Sequence, residues 1–364
     1  MTLSLYIARR FFWMFLRVLG VFFGILMLID MLDQLRRLSG RGVGLVQALE
    51  LSVLNVPESL YNILPLIMIL SAIAMFLGFA RSSELVVVRA AGRSGLRFLL
   101  APVTVSMALG VLAVAVLNPL VAATSKAYEA RYAAYAQGAE RVLSVSEDGL
   151  WLRQGGDGTQ TVIHAARANA DGTELFGVTF LTFDHDGLPQ ERVEAESARL
   201  VPGAWDLTQV KRWRLLAQNP ETGAEARASG TLPSDLTAAA IRDSFGKPSS
   251  IPVWELPGYI RGLERAGFTA RNHQVWLQAQ LALPLLMSAM VLVAAGFTMR
   301  HARFGGTGIL VLLSLMGGFA IFFLRNFAQV LGENGQVPVV VAAWAPPVAA
   351  ALLALTLLLH LEEG

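Results

Sequence analysis

Apolar residues are concentrated in six stretches, each with few charges. A helix needs roughly 20 apolar residues to cross the ~30 Å hydrocarbon core of a bilayer. Because every stretch reaches that length, the pattern predicts six membrane-spanning helices. They cover Phe11–Met31, Leu60–Phe79, Phe98–Leu120, Val275–Met299, Thr307–Val330 and Val339–Leu359.

Residues 121–272 follow a different pattern, in which apolar and polar residues alternate in short runs between turn formers. The clearest runs are GLWLR at 149–153, TVIH at 161–164 and FGVTFLTF at 176–183. A period of two with β-branched and aromatic residues is typical of strands, and turns about every 8–12 residues are typical of all-β sandwiches and rolls. We therefore expect an inserted all-β domain in this part of the chain.

The two patterns divide the chain into three parts. Spans 1–3 lie in residues 1–120, the β domain occupies 121–272, and spans 4–6 lie in 273–364. Helical patterns flank the β domain: Thr124–Gln137 extends the third span, and Trp254–Ala266 is typical of a short amphipathic helix.

The composition of the 364 residues agrees with a membrane protein. Hydrophobic residues make up 54% and charged residues 15%, and the mean hydropathy is +0.53, whereas soluble domains carry about 25% charged residues. The middle block holds 16 of the 29 Lys and Arg residues and 19 of the 27 Asp and Glu residues. The absence of cysteine excludes disulfides, thiolate metal sites and a thiol nucleophile.

Basic residues in the short loops between spans predict the orientation of the chain. Short cytoplasmic loops carry an excess of Lys and Arg, and here one side of the predicted membrane region is far more basic than the other. We therefore expect both termini in the cytoplasm and residues 121–272 on the far side, which is the periplasm in a Gram-negative cell. The cytoplasmic set is Arg9, Arg10, Arg81, Arg89, Arg93, Arg97, Arg300 and Arg303, and the opposite set is Arg36, Arg37 and Arg41.

The sequence lacks the phosphate-binding motif G-x-x-x-x-G-K-[ST], so we expect no ATPase site in this chain. The five histidines are scattered over different predicted elements without the i, i+4 spacing of a zinc-binding helix. We therefore predict no catalytic residue and no metal site.

Residues 80–95 are predicted to form a short cytoplasmic helix between the second and third spans. Ser82 or Ser83 can accept hydrogen bonds from the first-turn amides, and Glu84 suits the positive end of the helix dipole. Gly92 is a typical helix stop. Composition supports two interpretations equally: the helix docks in a groove of a partner protein, or it lies on the lipid surface.

Several segments together resemble the lipopolysaccharide-export permease family LptF/LptG. They are DQLRR at 33–37, SELVVVRAAG at 83–92, and residues 250–284 with YIRGLERAG at 259–267. The resemblance covers essentially the whole chain and is closer to the LptG branch than to the LptF branch. It implies an α-helical membrane protein with six transmembrane helices, three on each side of an inserted all-β, jellyroll-like periplasmic domain.

The resemblance also implies a function and partners. The chain would be a permease subunit of an ABC transporter that extracts lipopolysaccharide from the inner membrane and passes it to a periplasmic bridge, toward the outer membrane. It would pair with an LptF paralogue, be driven by an LptB ATPase dimer and deliver lipopolysaccharide to an LptC-like bridge protein. ATP and Mg would be bound by that ATPase, so we expect no cofactor and no enzymatic activity in this chain, contacts with membrane lipids, and no nucleic acid partner.

By the same resemblance, the segment at about 81–93 is a coupling helix seated in a groove of the ATPase. Glu84 would contact a basic residue in that groove, and Leu85 and Val88 would pack there as apolar anchors. We assign Arg89 and Gly92 to the same coupling site.

Arg36, Arg37 and Arg41 lie just outside the first span, where basic residues are not expected. The resemblance implies that they contact the lipid A phosphates of the substrate, for which arginine is a bidentate donor. Contact with anionic lipid headgroups, or with the nearby Asp33, is the alternative.

Asp30 and Arg325 are charged residues inside predicted spans, where charge is expensive. Each lies about 19 residues from the cytoplasmic start of its helix, roughly 28 Å at 1.5 Å per residue. Because their depths agree, we expect them to form an ion pair between the first and fifth spans. Members of the family carry a basic residue near position 30, and this departure leaves Arg36 and Arg37 as the better candidates for substrate contact.

Apolar residues in the run 176–183 are candidates for an internal lipid path through the β domain. Such a path would use Phe176, Val178, Phe180 and Phe183, together with Leu181. The alternative is that these side chains form an ordinary sandwich core.

A membrane-anchored periplasmic scaffold of envelope assembly, without transport, is the rival function. It needs the same spans but no helix that binds an ATPase. An ion-coupled carrier is disfavoured because it needs ionisable residues near the middle of the bilayer, and Arg17, Asp30 and Arg325 all lie toward the ends of their spans.

Overall fold

A computed structural model describes most of the chain and divides it into two compact units. The membrane unit comprises Met1–Gln137, Ser249–Trp254 and Arg271–Gly364, and the β unit comprises Gly138–Pro248 and Glu255–Ala270. The described residues are 2–39, 44–82, 84, 95–136, 143–146, 149–156, 159–169, 172–184, 187–217, 219–237, 241, 247–265, 268–299 and 307–363.

The described helices follow the six predicted apolar stretches and add one further long helix. Six helical segments are long and apolar enough to cross a membrane. The helices are α1 (Thr2–Arg37), α2 (Leu45–Asn62), α3 (Leu64–Arg81), α4 (Gly95–Leu112), a π-helical turn (Ala113–Leu117), α5 (Asn118–Ala136), α6 (Leu256–Arg265), α7 (Arg271–Thr298), α8 (Thr307–Glu333) and α9 (Val339–Glu363).

Helix α2 was not predicted, and it changes the start of the second span. The chain leaves helical geometry at Ile63, whose φ and ψ are −97° and 5°. Pro65 then lies in the first turn of α3, where its missing N–H leaves no hydrogen bond unmade. The second span therefore begins at Leu64 rather than Leu60.

The third span continues beyond its predicted end, as the pattern at 124–137 indicated. Helices α4 and α5 are joined through the π-helical turn into a single apolar segment that reaches Tyr132. A π-turn accommodates an extra residue without ending the helix, so the span and its extension form one rod.

Burial is distributed unevenly among the spans. In α7, 72% of the most apolar window is buried within this chain, whereas the figures are 17% for α8 and 6% for α1. Helix α7 contacts α3, α4, α8 and α9 and forms the centre of the membrane unit. Apolar faces of α1 and α8 are consequently left uncovered by the described residues.

The described residues of the β unit form one antiparallel sheet of seven strands, which lie in chain order. Each strand pairs with the next through a short connection, so among the described strands the sheet has none of the crossovers of a Greek-key jellyroll. The strands are β1 (Leu143–Ser146), β2 (Gly149–Gly156), β3 (Thr159–Ala168), β4 (Glu174–Phe183), β5 (Pro189–Val201), β6 (Ala204–Arg214) and β7 (Glu225–Pro233).

The sheet curls into a roll around one apolar face. Gln154 on β2 donates through Nε2 to the carbonyl of Pro233 on β7, at 3.0 Å, and its Oε1 accepts from Ser234 at 2.8 Å. These bonds bring strands from opposite parts of the sheet together, and Trp205 and Phe180 meet edge to face in the interior. The all-β prediction is confirmed, and of the two predicted shapes the strands form a roll rather than two stacked sheets.

Candidate coupling site and substrate path

Glu84 accepts three hydrogen bonds at one end of the membrane unit. Arg10 Nη1 and Ser82 Oγ both donate to Oε1 at 2.7 Å, and Tyr6 Oη donates to Oε2 at 3.1 Å. Arg10 Nη1 also donates to the Tyr6 hydroxyl at 2.7 Å. The carboxylate therefore joins the start of α1 to the end of α3.

The Arg10 side chain is held from two sides. Its guanidinium lies over the ring of Phe79, 4.3 Å from the centroid, and closer to it than to the Tyr6 ring. Phe79 is fully buried and packs edge to face against Phe98 of α4. Since cation–π contact and ion pairing act on the same guanidinium, its position relative to α3 and α4 is well defined.

The surroundings of Glu84 keep it ionised at neutral pH. Partial burial raises the pKa of its carboxyl, but the hydrogen bonds from Arg10, Ser82 and Tyr6 and the charge of Arg10 lower it further, so the net pKa lies below the ordinary value. A depressed pKa means that the ion pair persists above that value and is lost only when the pH falls through it.

The remaining residues of the predicted coupling helix, Leu85, Val88, Arg89 and Gly92, lie outside the described residues. Glu84 is thus the one member of that predicted set whose surroundings the structure describes. Sequence reasoning found Glu84 but missed Arg10 and Tyr6, because partners 74 and 78 residues away leave no local spacing signal.

At the other end of α1, two of the three predicted substrate-contact residues are described. Arg36 and Arg37 form the basic last turn of the helix, and both are exposed. Arg37 Nε pairs with Asp33 Oδ2 at 2.7 Å, one helical turn back, whereas Arg41 lies outside the described residues. Such an exposed i, i+4 pair is weak, so a stronger anion can displace Asp33.

The predicted ion pair between Asp30 and Arg325 is wrong for this structure. Asp30 Oδ1 accepts from Asn55 Nδ2 at 2.7 Å, and Oδ2 is buried without a hydrogen-bond partner among the described residues. Helix α2 packs against α1 and supplies Asn55, while α8 packs against α3, α7 and α9. The unpredicted helix α2 therefore provides the partner of Asp30 in place of Arg325.

Arg325 is 8% exposed and lies near a buried polar junction. Tyr61 Oη donates to Gln280 Oε1 at 2.5 Å, linking α2 to α7. The sequence did not predict the hydrogen bond between Tyr61 and Gln280, because neither residue belongs to a recognisable motif.

A second polar junction holds the short segment Ser249–Trp254 against the membrane helices. Glu58 accepts from Ser249 at 2.7 Å and from Ser125 at 3.1 Å. The backbone N–H of Val253 donates to Asn118 Oδ1 at 2.8 Å. These bonds anchor the returning chain to α2 and α5.

The four β-strand residues predicted for a lipid path do not share one face. Val178 and Phe180 are buried on the inner face, whereas Phe176 and Phe183 are only half-buried. Gly177 has a φ of +62°, which breaks the alternation and places Leu175 inward in place of Phe176. The set is therefore corrected to Leu175, Val178 and Phe180.

Comparison with known proteins agrees with this architecture along the whole chain. The family model "Lipopolysaccharide export system permease LptF/LptG" matches residues 5–360. The chain is 24% identical to the lipopolysaccharide export system permease protein LptG of Escherichia coli strain K12, over 99% of this chain and 98% of that protein. It is 23% identical to the LptG protein of Haemophilus influenzae, over 92% of this chain and 91% of that protein.

Two separate lines of evidence thus agree: three apolar helices before and three after an inserted β unit in the sequence, and a family match that runs almost from end to end. The chain belongs to the LptF/LptG family of lipopolysaccharide export permeases, is similar to its LptG members, and is a multi-pass subunit of the inner membrane.

Proposed function

We propose that this permease subunit is one half of a transporter driven by a separate ATPase dimer, and that Glu84 lies at the contact with that ATPase. The observation that carries the proposal is the position of Glu84, which lies three residues beyond the end of the second span at Arg81 and is fixed by three donors. In this account ATP and Mg are bound by the LptB-type ATPase, and this chain makes and breaks no covalent bond.

The orientation that this function needs has both termini in the cytoplasm and residues 121–272 in the periplasm. The excess of arginines beside Glu84 supports it, because short cytoplasmic loops are enriched in basic residues. Arg9, Arg10, Arg81 and Arg97 are the described members of that basic set.

A paralogous LptF-type permease is the partner that fits the uncovered faces of α1 and α8. Large apolar side chains are exposed along both helices, including Ile29 at 59% and Phe323 at 64%. Two subunits that face each other through these helices enclose a cavity with apolar walls. Such a cavity suits the acyl chains of lipopolysaccharide, which enters laterally from the membrane.

The basic outer end of α1 is the proposed contact for the substrate phosphates. Arg36, Arg37 and Arg41 offer planar, bidentate donors, which match phosphate oxygens better than lysine does. Because the ion pair between Arg37 and Asp33 is solvent-exposed, little interaction energy is lost when a phosphate replaces Asp33. The apolar cavity and its basic rim then bind the two chemically different parts of one lipid.

Delivery beyond the membrane is assigned to the β unit and an LptC-like bridge protein. The apolar inner face of the curled sheet, with Leu175, Val178 and Phe180, is the surface along which acyl chains would pass. Closure of the ATPase dimer would narrow the cavity and move the lipid toward that face.

Co-purification tests this proposal. The chain is expressed with its candidate partners and purified in nanodiscs as wild type, as Glu84→Ala and as Glu196→Gln, a control at an exposed carboxylate of β5. We expect the wild type and the control to retain an ATPase and a paralogous permease, and Glu84→Ala to lose the ATPase or uncouple it. Absence of both partners from folded wild-type protein would contradict the proposal and favour the scaffold.

A further inference from the structure

Helix α1 is buried most completely toward its two ends. Near its start, Ile7, Phe11 and Phe15 are buried against the core, and near its end Gln34 and Leu38 are buried. Between these two groups the residues are exposed or half-buried, and none is fully buried. An element held in this way moves as its ends are moved.

The helix is also long and continuous. Its 36 residues run from Thr2 to Arg37, which at 1.5 Å per residue is about 54 Å. No proline interrupts it. A displacement applied at the Glu84 end is therefore transmitted to the basic turn at Arg36 and Arg37 rather than absorbed along the way.

Among the described residues, the hydrogen bonds to Glu84 leave one acceptor position of the carboxylate for a further donor. An ionised carboxylate has about four acceptor positions, and Arg10, Ser82 and Tyr6 occupy three of them. A basic residue of a partner can take the fourth position without displacing Arg10. Glu84 can therefore be bonded to α1 and to an external protein simultaneously.

We propose that Arg10, supported by Tyr6 and Phe79, is a positioning residue that ties Glu84 to α1, so that movement of Glu84 driven by the ATPase is carried along α1 to its basic outer end. This inference rests on the proposed function, since it needs a driven partner at Glu84. The proposed connection runs from Glu84 through Arg10 to the outer end of α1, and it does not pass through the segment after Glu84.

The test measures lipopolysaccharide released per ATP hydrolysed by the full complex in proteoliposomes. Arg10→Ala is compared with Arg9→Ala, which removes the same side chain from the adjacent, exposed position. We expect Arg10→Ala to keep the complex assembled and its ATPase rate within about twofold of wild type, while release per ATP falls at least fivefold. Arg9→Ala is expected to match wild type.

Three further variants separate coupling from a general loss of folding. Arg10→Lys retains the charge but not the planar guanidinium, so its lipopolysaccharide release per ATP should lie between that of Arg10→Ala and that of wild type. Tyr6→Phe removes both hydrogen bonds of the Tyr6 hydroxyl, to Glu84 and from Arg10, and keeps the ring, so it should reduce release about twofold. Arg10→Ala added to Glu84→Ala should cause no additional loss, because Arg10 acts through Glu84.

The outcomes distinguish this inference from the proposed function. If the wild-type chain binds no ATPase, the proposed function and this inference both fail. If the wild type transports and Arg10→Ala behaves like Arg9→Ala, only the inference is overturned. If Arg10→Ala does not fold, equal release by Tyr6→Phe, Arg10→Lys and wild type overturns it.

Discussion

Glu84 and Asp30 are both acidic residues at membrane spans, but their surroundings differ in a way that decides their roles. Glu84 is bonded to a cation and two hydroxyls, whereas Asp30 receives a single bond from the Asn55 amide and has one buried oxygen without a partner among the described residues. Asp30 is half-buried, and a charge that is partly removed from water without an ion pair opposes folding. Asp30 is therefore expected to contribute little as a charge.

Asp30→Asn tests this at the residue scale. The amide oxygen can still accept from Asn55, and the uncompensated charge is removed, so we expect an unchanged or raised melting temperature in detergent and unchanged export. Asp30→Leu should lower the melting temperature, since it leaves the Asn55 donor unsatisfied at a cost of about 1–3 kcal/mol. A large decrease in the melting temperature or in export on Asp30→Asn would show that the charge of Asp30 is needed.

The partners of individual polar side chains are the features that this sequence predicted least well. The resemblance of residues 83–92 to the permease family singled out Glu84. It could not identify Arg10, Tyr6 or Asn55 as partners, because those contacts depend on how α1, α2 and α3 pack. The expected pairing of Asp30 with Arg325 failed for this reason: equal depth is a one-dimensional criterion, and it does not determine which helices are neighbours.

At the scale of elements, close helix contact depends on small residues. A Cβ added at Gly110 of α4 would lie 2.5 Å from the Cα of Pro284 in α7, so the two backbones meet directly. Small residues allow such approach in membranes, where packing replaces the hydrophobic effect as the force between helices. Because α7 is the centre of the membrane unit, this contact fixes the position of α4.

Gly110→Ala should consequently lower the melting temperature of the isolated subunit by several degrees, since overpacking typically costs about 1–3 kcal/mol. Gly24→Ala in α1 is the matched control, because nothing lies within 4 Å of the added atom. The comparison is made by thermal unfolding in detergent. Equal stability of the two variants would contradict the close approach of α4 and α7.

Elements were predicted well where the signal is local. The six spans and the amphipathic α6 follow from hydrophobic periodicity, which each segment carries in its own sequence. Helix α2 was missed because its residues are less uniformly apolar than those of the spans. In β4, strict alternation of inward and outward side chains through Gly177 predicted that Phe176 is buried. The positive φ of Gly177 interrupts that alternation, and Leu175 is buried instead.

At the scale of the whole molecule, coupling to a cytoplasmic ATPase requires that the end of the spans near Glu84 faces the cytoplasm. The chain contains no cysteine, so single cysteines can be introduced without first removing others. Ser4 near the start of α1 and Thr222 between β6 and β7 are both exposed. A cysteine at position 4 reports on which side of the membrane α1 begins, and a cysteine at position 222 reports on which side the β unit lies.

We expect a membrane-impermeant maleimide added to the outside of spheroplasts to label Thr222→Cys and not Ser4→Cys. Lysis should then make Ser4→Cys reactive, because the distribution of basic residues predicts that both termini lie in the cytoplasm. Labelling of Ser4→Cys from outside would reverse the orientation and remove Glu84 from the reach of a cytoplasmic ATPase.

The central claim, that this subunit moves lipopolysaccharide when a separate ATPase hydrolyses ATP, is tested most directly by lipid transfer. The purified complex is placed in proteoliposomes with lipopolysaccharide, and transfer to a soluble acceptor carrying a photo-crosslinker is followed with and without ATP. The account predicts ATP-dependent transfer that is lost with Glu84→Ala and retained with the Glu196→Gln control. Transfer that is absent, or equal with and without ATP, from an assembled wild-type complex would contradict it.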